Sequence, residues 1–588
     1  MPTNLRLLKN LQKPVRGVAL ETSAIRYHGS MFWLRWYPAA AACGSLLVAL
    51  IVFGPALHGQ FVFDDLSLPI RGPLQQAPLR TWLSGVRPVL MLSYWLNRQL
   101  LGDAPFGYHF VNFIIHCANS VLVYLVISRI FRLAGWVHSQ RTRWAIGGSV
   151  VFLLHPIQTE SVSYIAGRSE SLASLFVLVG YLWFLERAER GLSWTASVIV
   201  VIFLAIGVGT KENAVSLAGL IILTDAFWPK PFAAEGLRRS WRLYVLLTPL
   251  AIGLVAGVFQ MLATAPTAGF SVATSRWYQY AFTEMRAIPA YVRLAILPFG
   301  QSLDHDFPIS HTAMEHGALF YGFLGLAAVV GLIRRRRHYP LACFGILVFL
   351  VLLAPTSSVV PIDDPLVERR IYLPLVGLIL AACDLCSRIS LQRTKWVYIL
   401  AGVAIFFGGV SFARNQMWGE PDKLLMQAAQ EASTNPRPML NLTEILIRNN
   451  RCDLAIPYLQ RATRILGENY FVEVGWGRTL ACLNRDTEAL ERLTLAARLQ
   501  PTAQVFEWLG LLYGKMGRFA EAGESLQKAV SLEPDRESAH GSLALWYEST
   551  HDLSGAQREY QKAISLDPSD LWAKASLTRV QDLQRARP

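Results

Sequence analysis

Long apolar runs fill the first 414 residues and constrain the fold of this chain more than any other feature. A helix needs about 20 apolar residues to cross a bilayer, and lipid tolerates few other folds because backbone polar groups find no water there. The composition agrees, since 53% of the residues are hydrophobic and only 16% are charged. Eleven spans are predicted, at 39–57, 109–130, 144–156, 170–186, 193–209, 213–227, 243–263, 316–333, 340–355, 371–387 and 396–413.

The segment 276–299 is also apolar, but it carries Arg276, Glu284, Arg286 and Arg293. Each charge costs about 2.5–3.5 kcal/mol at the centre of a spanning helix, so we expect an interfacial amphipathic helix instead. With this segment outside the bilayer, the four arginines at 334–337 fall on the cytoplasmic side, as the positive-inside rule requires. The net charge of +14 then reflects membrane orientation, and no nucleic acid is predicted as a partner.

The two ends of the chain are expected on opposite sides of the membrane. Residues 1–38 are basic and show no cleavage pattern, which is typical of a signal anchor with a cytoplasmic N-terminus. Eleven spans then place the C-terminus outside. The predicted location is a bacterial inner membrane, crossed many times by the domain 39–414, with the rest of the chain in the periplasm.

After residue 414 the sequence acquires a fixed period. Ala455, Ala489, Ala522 and Ala556 recur at spacings of 34, 33 and 34 residues, which is the period of the tetratricopeptide repeat. We predict a linker helix over 415–435, then four repeats starting near 436, 470, 503 and 537 within a domain 436–588, with a capping helix from Leu571. The predicted fold is all-α: a polytopic membrane domain followed by an α-solenoid. Cys452 and Cys482 can pair if this region lies outside the cytoplasm, but spacing alone leaves that open.

Polar residues cluster at the outer ends of the predicted spans. The first outer loop carries Asp64 and Asp65, which are suited to deprotonating a hydroxyl or to holding a divalent metal, and equally to a solvated turn. Adjacent Arg369 and Arg370 suit a phosphate, or lipid head groups. For a second group of candidates helix caps and structural ion pairs are the alternatives: His155, Glu160, Arg168, Glu170, Lys211 and Glu212. Asp304, His305 and Asp306 form a weak metal-site pattern, because such triplets arise by chance in loops, and Glu368 adjoins the two arginines.

Acidic and basic clusters on one membrane face suggest a lipid-phosphate substrate. With these clusters in this order along the sequence, the chain resembles the GT-C membrane glycosyltransferases. Within that class it most resembles the transmembrane-and-tetratricopeptide O-mannosyltransferases and their bacterial relatives. The matching pieces are Phe63-Asp64-Asp65, Arg87-Pro88, Gly102 to Pro105, Tyr108 to Asn112, His155 to Glu160, Gly167 to Glu170, Lys211-Glu212, Glu368 to Pro374 and the stretch at Trp418.

The resemblance implies a polyprenyl-phosphate sugar donor, with mannose as one sugar, and transfer on the non-cytoplasmic face to a protein or glycan acceptor that the repeats recruit. It implies Asp64 and Asp65 as the catalytic pair, with Arg168, Lys211, Arg369 and Arg370 at the donor phosphate. Glu160, Glu170 and Glu368 would orient those cations. No cofactor is predicted with certainty, and a divalent metal stays an open alternative.

Two other classes of function remain. A noncatalytic scaffold, anchored by its spans, would use the repeats to gather periplasmic partners and would not need the Asp64-Asp65 pair. A transporter is disfavoured, because transporters place their charged residues near the bilayer midplane and not at the ends of spans.

Overall fold

Helices account for the regular structure of this protein. The computed structural model describes residues 44–70, 77–228, 234–249, 253, 275–568 and 570–585, and within these ranges no β-strand is found. Residues up to Leu50 and residues Ile51–Pro588 form two separate units, and nearly all described residues belong to the second. The all-α fold predicted from the sequence is therefore confirmed. The basic segment predicted over 1–38 lies outside the described residues.

The membrane half is built from apolar helices. The long ones are Pro88–Leu101, Pro105–Leu133, His138–Leu154, Arg168–Arg187, Trp194–Thr210, Ser216–Phe227, Trp277–Ile296, Ala318–Arg334, Pro340–Leu353, Leu375–Ser387 and Arg393–Gly419, and the shorter ones are Leu79–Leu83, Thr159–Ser163 and Ala234–Arg239.

The predicted number of eleven spans is not confirmed. Within the described part of the chain, four helices are long and apolar enough to cross a membrane: Pro105–Leu133, Arg168–Arg190, Glu315–Arg334 and Thr394–Gly419. Four shorter apolar helices accompany them: Gly44–His58, Trp194–Thr210, Pro340–Leu353 and Leu375–Ser387. The predicted span 243–263 lies mostly outside the described residues.

The segment predicted to lie at the interface is the single helix Trp277–Ile296. Its four charges have different surroundings. Glu284 is buried within the protein, while Arg276 and Arg293 remain exposed. The helix therefore packs one side against the protein, and its exposed residues include the apolar Trp277 and Ile296 beside the two arginines, so its placement at the interface stays a prediction.

Short 3-10 turns interrupt the membrane half where the polar clusters lie. They are Phe63–Ser67, Pro156–Gln158, Glu212–Val215 and Glu368–Ile371. Proline at 156 begins one turn, because it has no N–H to donate and ends the preceding helix. Two of these breaks, Phe63–Ser67 and Glu368–Ile371, carry residues of the candidate site.

Paired helices form the repeat half, which confirms the predicted tetratricopeptide solenoid. The pairs are Arg437–Arg448 with Ile456–Leu466, Tyr470–Cys482 with Asp486–Leu499, Ala503–Lys515 with Phe519–Leu532, and Glu537–Ser549 with Leu553–Leu566, followed by Leu571–Arg585. Small residues allow the close packing. A side chain at Gly510 would place its Cβ 2.5 Å from Cγ of Leu526, and Ala522 and Ala529 are fully buried. Cys452 and Cys482 are joined by a disulfide that links the first two repeats.

The helix Pro421–Glu431 connects the two halves and packs against Arg437–Arg448. Near its start, a small apolar core joins Trp418 and Leu424 to Val62 and Tyr164 of the membrane half. Phe63, in the turn that carries the two aspartates, packs against a core cluster that includes Met439 and Leu442 of the helix Arg437–Arg448.

Candidate functional site

The turn Phe63–Ser67 gives its two aspartates opposite environments. Asp65 is fully buried and accepts hydrogen bonds from the backbone N–H groups of Val62 (3.0 Å) and Ala166 (2.8 Å). Asp64 is exposed, and its backbone N–H donates to the Tyr164 hydroxyl at 2.8 Å. The Asp65 carboxylate therefore holds the turn together, and the Asp64 side chain points away from that core.

Backbone strain marks the same turn. Phe63 has a φ of 49°, in the left-handed region that a bulky side chain rarely adopts. Such a conformation costs on the order of 1–3 kcal/mol and persists only where its surroundings enforce it, often at functional sites.

Burial raises the pKa of Asp65 to about 7. The hydrogen bonds from backbone N–H groups favour the charged carboxylate and lower the pKa, but burial has the larger effect. The buried carboxyl therefore titrates near neutral pH.

Arg369 and Glu160 form the second element of the site. The Arg369 guanidinium contacts Glu160 at 2.5 Å, and the Arg369 backbone N–H donates to the other carboxylate oxygen at 2.9 Å. Burial alone would lower the pKa of Arg369, but the Glu160 carboxylate raises it, so the guanidinium stays charged. The Arg369 side chain is still 24% exposed, and it approaches the Tyr164 ring at 5.9 Å.

A cavity of about 350 Å3 joins these elements at the junction of the two halves of the protein. Asp64, Tyr164 and Arg369 line it from the membrane half. Its other lining residues are Phe63, Leu303, Asp304, Asp364, Leu425, Arg437, Asn441, Glu444, Ile445 and Arg448. The cavity thus brings together one candidate acid, one candidate cation and the first helix of the repeats.

Lys211, Glu170 and Glu212 lie in a separate polar group. Lys211 forms an ion pair with Glu170, which also accepts a hydrogen bond from Asn213. Burial lowers the pKa of Lys211, with Glu170 opposing. Burial by itself would raise the pKa of Glu212. The Arg87 guanidinium donates two hydrogen bonds to the Glu212 carboxylate and holds its pKa below the usual range. None of these side chains is among those lining the cavity.

Arg168, which was expected to bind the donor phosphate, is surrounded by acceptor groups of the protein itself. It is fully buried, and its guanidinium donates to the side-chain oxygens of Asn112 (2.6 Å) and Asn97 (2.8 Å) and to the carbonyl of Tyr108 (2.9 Å). The Tyr94 ring lies 4.6 Å from the guanidinium carbon. A donor set engaged in this way by protein acceptors, out of contact with solvent, does not suit an incoming ligand.

Arg370 also turns away from the cavity. Its guanidinium donates to the carbonyl of Pro365 (3.2 Å) and to the Tyr280 hydroxyl (3.4 Å), beside a small pocket between membrane helices. His155 caps the turn Pro156–Gln158 by accepting from the N–H of Ile157, and its other ring nitrogen contacts the carbonyl of Ala295. Both residues hold backbone segments in place.

Glu368 and the triplet 304–306 connect segments and do not converge on one point. Glu368 lies 2.9 Å from His305 and accepts from Gln301 and from the Ser302 N–H. Asp304 binds Arg437 of the first repeat through two hydrogen bonds, of 2.7 and 2.6 Å. Asp306 accepts from Ser433 and Thr434, through both backbone N–H groups and both hydroxyls.

A metal ion needs several ligands that face one point. Asp304, His305 and Asp306 each face a different partner, so they do not fit that requirement. Across the described ranges, no group of three or more His, Cys, Asp or Glu side chains is placed to hold a metal.

Sequence reasoning missed the cavity residues Tyr164, Asp364, Arg437 and Asn441. Tyr164 follows Glu160 by four residues, but a tyrosine at the end of a span is common at any membrane interface. Arg437 and Asn441 belong to the repeats, where periodicity explains most positions. Only the packing of the two halves reveals that these four residues share a cavity.

Comparison with known proteins supports the architecture. The family model described as "Tetratricopeptide repeat" matches residues 503–536. Human protein O-mannosyl-transferase TMTC3 is 23% identical over 616 residues, covering 91% of this chain and 66% of the relative. Drosophila melanogaster protein O-mannosyl-transferase Tmtc3 is 22% identical over 548 residues, covering 77% of this chain and 58% of the relative.

The chain resembles the transmembrane-and-tetratricopeptide O-mannosyltransferases. The likeness extends over most of the chain, although the chain spans only about two-thirds of the first two relatives, 66% and 65%. Human protein O-mannosyl-transferase TMTC4 is 29% identical over a shorter stretch of 207 residues, covering 30% of this chain and 28% of the relative. Among solved structures, a thermophilic tetratricopeptide-repeat protein of Thermus thermophilus matches 29% of this chain and 93% of that chain, with 21% identity and a TM-score of 0.27.

The likeness to these O-mannosyltransferases includes the membrane half. The alignment with human TMTC3 covers 91% of this chain, while the paired helices of the repeat half begin only at Arg437.

Proposed function

We propose that this protein is an inverting membrane glycosyltransferase of the GT-C type. It transfers a sugar, with mannose as the first candidate, from a polyprenyl phosphate to a hydroxyl of a protein acceptor. The observation that carries the proposal is the cavity, which places the Asp64 carboxylate and the Arg369 guanidinium on its wall. The named activity of the relatives supports it.

The reaction needs a base and a stabilised leaving group. Asp64 takes the proton of the acceptor hydroxyl, whose oxygen forms a new bond to the anomeric carbon of the sugar. The bond from that carbon to the phosphate oxygen breaks, and its electron pair leaves with the polyprenyl phosphate. Arg369 offers its guanidinium to the departing phosphate oxygens, because it stays charged and can grip them bidentately.

Three neighbours act as positioning residues in this proposal. Asp65 fixes the turn through Val62 and Ala166, and the Tyr164 hydroxyl holds the Asp64 backbone. Glu160 orients Arg369. Arg168, Lys211 and Arg370 keep the membrane helices in register, as their contacts to protein groups suggest, and Glu170 and Glu212 serve as structural ion-pair partners.

The proposed location is a bacterial inner membrane, with eleven spans, a cytoplasmic N-terminus and a periplasmic repeat domain. The disulfide between Cys452 and Cys482 supports this side of the membrane, because disulfides persist in oxidising compartments such as the periplasm. The repeats recruit the acceptor, since a tetratricopeptide solenoid offers a concave surface to other chains.

The test uses the purified protein in nanodiscs with a panel of radiolabelled polyprenyl-phosphate sugars, and measures sugar released to water or transferred to periplasmic extract. Asp64→Asn is expected to lower turnover by about 10²–10⁴, the usual contribution of a general base. Asp103→Asn, in the same outer loop but paired with Arg98 and not among the residues that line the cavity, is the matched control and should retain full turnover.

Equal turnover by the wild-type protein and Asp64→Asn would remove Asp64 from the chemistry. A wild-type protein that neither binds nor turns over any donor would favour the alternative function, a noncatalytic membrane-anchored scaffold.

A further inference from the structure

One wall of the cavity belongs to the repeat domain. The helix Arg437–Arg448 contributes Asn441, Glu444 and Arg448, while Asp64 and Arg369 line the side formed by the membrane half. A repeat domain that only captured partners at a distance would not need a helix at this position.

Ion pairs hold this helix against the membrane half. Arg437, at its first turn, binds Asp304 at 2.7 and 2.6 Å and Asp364 at 2.6 Å. Just before the helix, Asp306 accepts four hydrogen bonds from Ser433 and Thr434. We call these contacts of Asp304, Asp306 and Asp364 with residues 433–437 the junction clamp. The clamp therefore places this helix directly against the membrane half.

Asn441 differs from its neighbours on that wall. Glu444 is engaged by Arg478 and Arg448. The Asn441 side chain, in contrast, lines the cavity and makes no hydrogen bond to another residue in the described ranges. A carboxamide offers two N–H donors and one carbonyl acceptor, the same kinds of group that a peptide bond presents. It can therefore pair with a polypeptide main chain through two hydrogen bonds.

The size of the cavity restricts what can enter. About 350 Å3 admits a few residues but no folded domain. The apolar side chains of Phe63, Leu303 and Ile445 offer contacts for residues beside the acceptor hydroxyl.

Resting on the proposed function, we infer that the first repeat forms part of the acceptor subsite and that Asn441 binds the main chain of an extended, hydroxyl-bearing polypeptide, with its Ser or Thr hydroxyl facing Asp64. Asn441 is then a specificity-determining residue for polypeptide over glycan acceptors. The junction clamp sets its distance from the base.

The experiment separates the acceptor side from the donor side. Wild-type protein, Asn441→Ala and Gln527→Ala are compared in nanodiscs with a radiolabelled polyprenyl-phosphate sugar, with and without a library of nonapeptides that carry one central Thr. Gln527 is the matched control, because it is an exposed carboxamide on the third repeat. Sugar release to water reports the donor side, and sugar transfer to peptide reports the acceptor side.

We expect Asn441→Ala to raise the KM for the best peptide at least about tenfold, the effect of losing two modest hydrogen bonds, with sugar release to water unchanged. Peptides in which an ester replaces one amide near the Thr probe the main-chain contact. One such ester should weaken transfer by the wild-type protein and should not weaken transfer by Asn441→Ala any further. Gln527→Ala should behave as wild type.

The outcomes are distinct. If Asn441→Ala keeps the wild-type peptide KM, the inference is overturned and the proposed function stands. If the wild-type protein releases sugar to water but uses no peptide, the inference is overturned, and the proposed use of a polyprenyl-phosphate sugar donor stands without the polypeptide acceptor. If the wild-type protein neither releases nor transfers sugar from any donor, the proposed function fails and the inference with it.

Discussion

Asp64 and Asp65 are neighbours with the same side chain, and their surroundings separate them. The Asp65 carboxylate is enclosed and bound by two backbone N–H groups, while Asp64 faces a cavity. A buried carboxyl that holds backbone is a poor base for an external hydroxyl, because no substrate reaches it. The roles of the pair are therefore unequal, with Asp64 proposed for the chemistry and Asp65 for the shape of the turn.

Titration of Asp65 should affect stability. Burial raises its folded-state pKa to about 7 from an ordinary 3.8, so the folded protein binds a proton more tightly than the unfolded chain. The contribution of Asp65 to the free energy of unfolding is fully present below about pH 4 and is lost as the pH rises through 7. Each unit of difference between the folded and unfolded pKa corresponds to about 1.4 kcal/mol. We expect the thermal unfolding midpoint of the wild-type protein to decrease as the pH is raised from about 5 to about 8.

Asp65→Asn cannot titrate, so its midpoint should lack this component of the pH dependence, while Asp64→Asn should retain it. Differential scanning fluorimetry in one detergent measures all three proteins. Parallel pH profiles for the wild-type protein and Asp65→Asn would contradict the raised pKa.

At the scale of elements, the short segments between helices do most of the positioning. The turns Phe63–Ser67 and Glu368–Ile371 present Asp64 and Arg369, and the helix Thr159–Ser163 presents Glu160. The helix Arg437–Arg448 then closes the cavity from the repeat side. The junction clamp holds that helix against the membrane half.

Breaking the clamp should loosen the first repeat. Arg437→Ala leaves Asp304 buried without its cation, which costs on the order of 1–3 kcal/mol. We expect faster hydrogen exchange over residues 433–448 and a higher KM for polypeptide acceptors. Lys423→Ala, which removes an exposed ion pair with Glu420 nearby, is the control and should change neither. Unaltered exchange in Arg437→Ala would show that the clamp contributes no rigidity.

At the scale of the whole molecule, the proposed orientation unites the disulfide, the site and the repeats on one side of the membrane. The basic clusters that precede and follow the apolar helices favour that orientation. Cys452 and Cys482 pair within the repeats, whereas the four free cysteines in the described ranges are all in the membrane half.

A fusion experiment tests the orientation. Alkaline phosphatase joined after Pro588 folds only outside the cytoplasm, so it should be active, and green fluorescent protein at the same position should be dark. A control pair of fusions after Arg337, in a predicted cytoplasmic loop, should give the reverse. A fluorescent fusion after Pro588 would place the repeats in the cytoplasm and contradict the eleven-span topology.

The sequence predicted the elements better than it predicted the site. Apolar runs and a 34-residue period are local signals, and each reports directly on the helix that it forms. The candidate residues were identified by their type and by their position at the ends of predicted spans. The structure separates those that line the cavity from those that are enclosed by the protein. Asp64, Arg369 and Asp304 line the cavity, whereas Arg168 and Arg370 are enclosed among protein acceptors.

The sequence by itself determined that this protein is an all-α chain with an apolar half and a tetratricopeptide half, because hydrophobic patterning and repeat period are properties of neighbours along the chain. Only the tertiary structure decided which aspartate faces a cavity, which arginines are enclosed, that Arg437 binds Asp304 of the membrane half, and that Asn441 lines the same cavity as Arg369. Those contacts join residues far apart in sequence, and packing between the two halves brings them together.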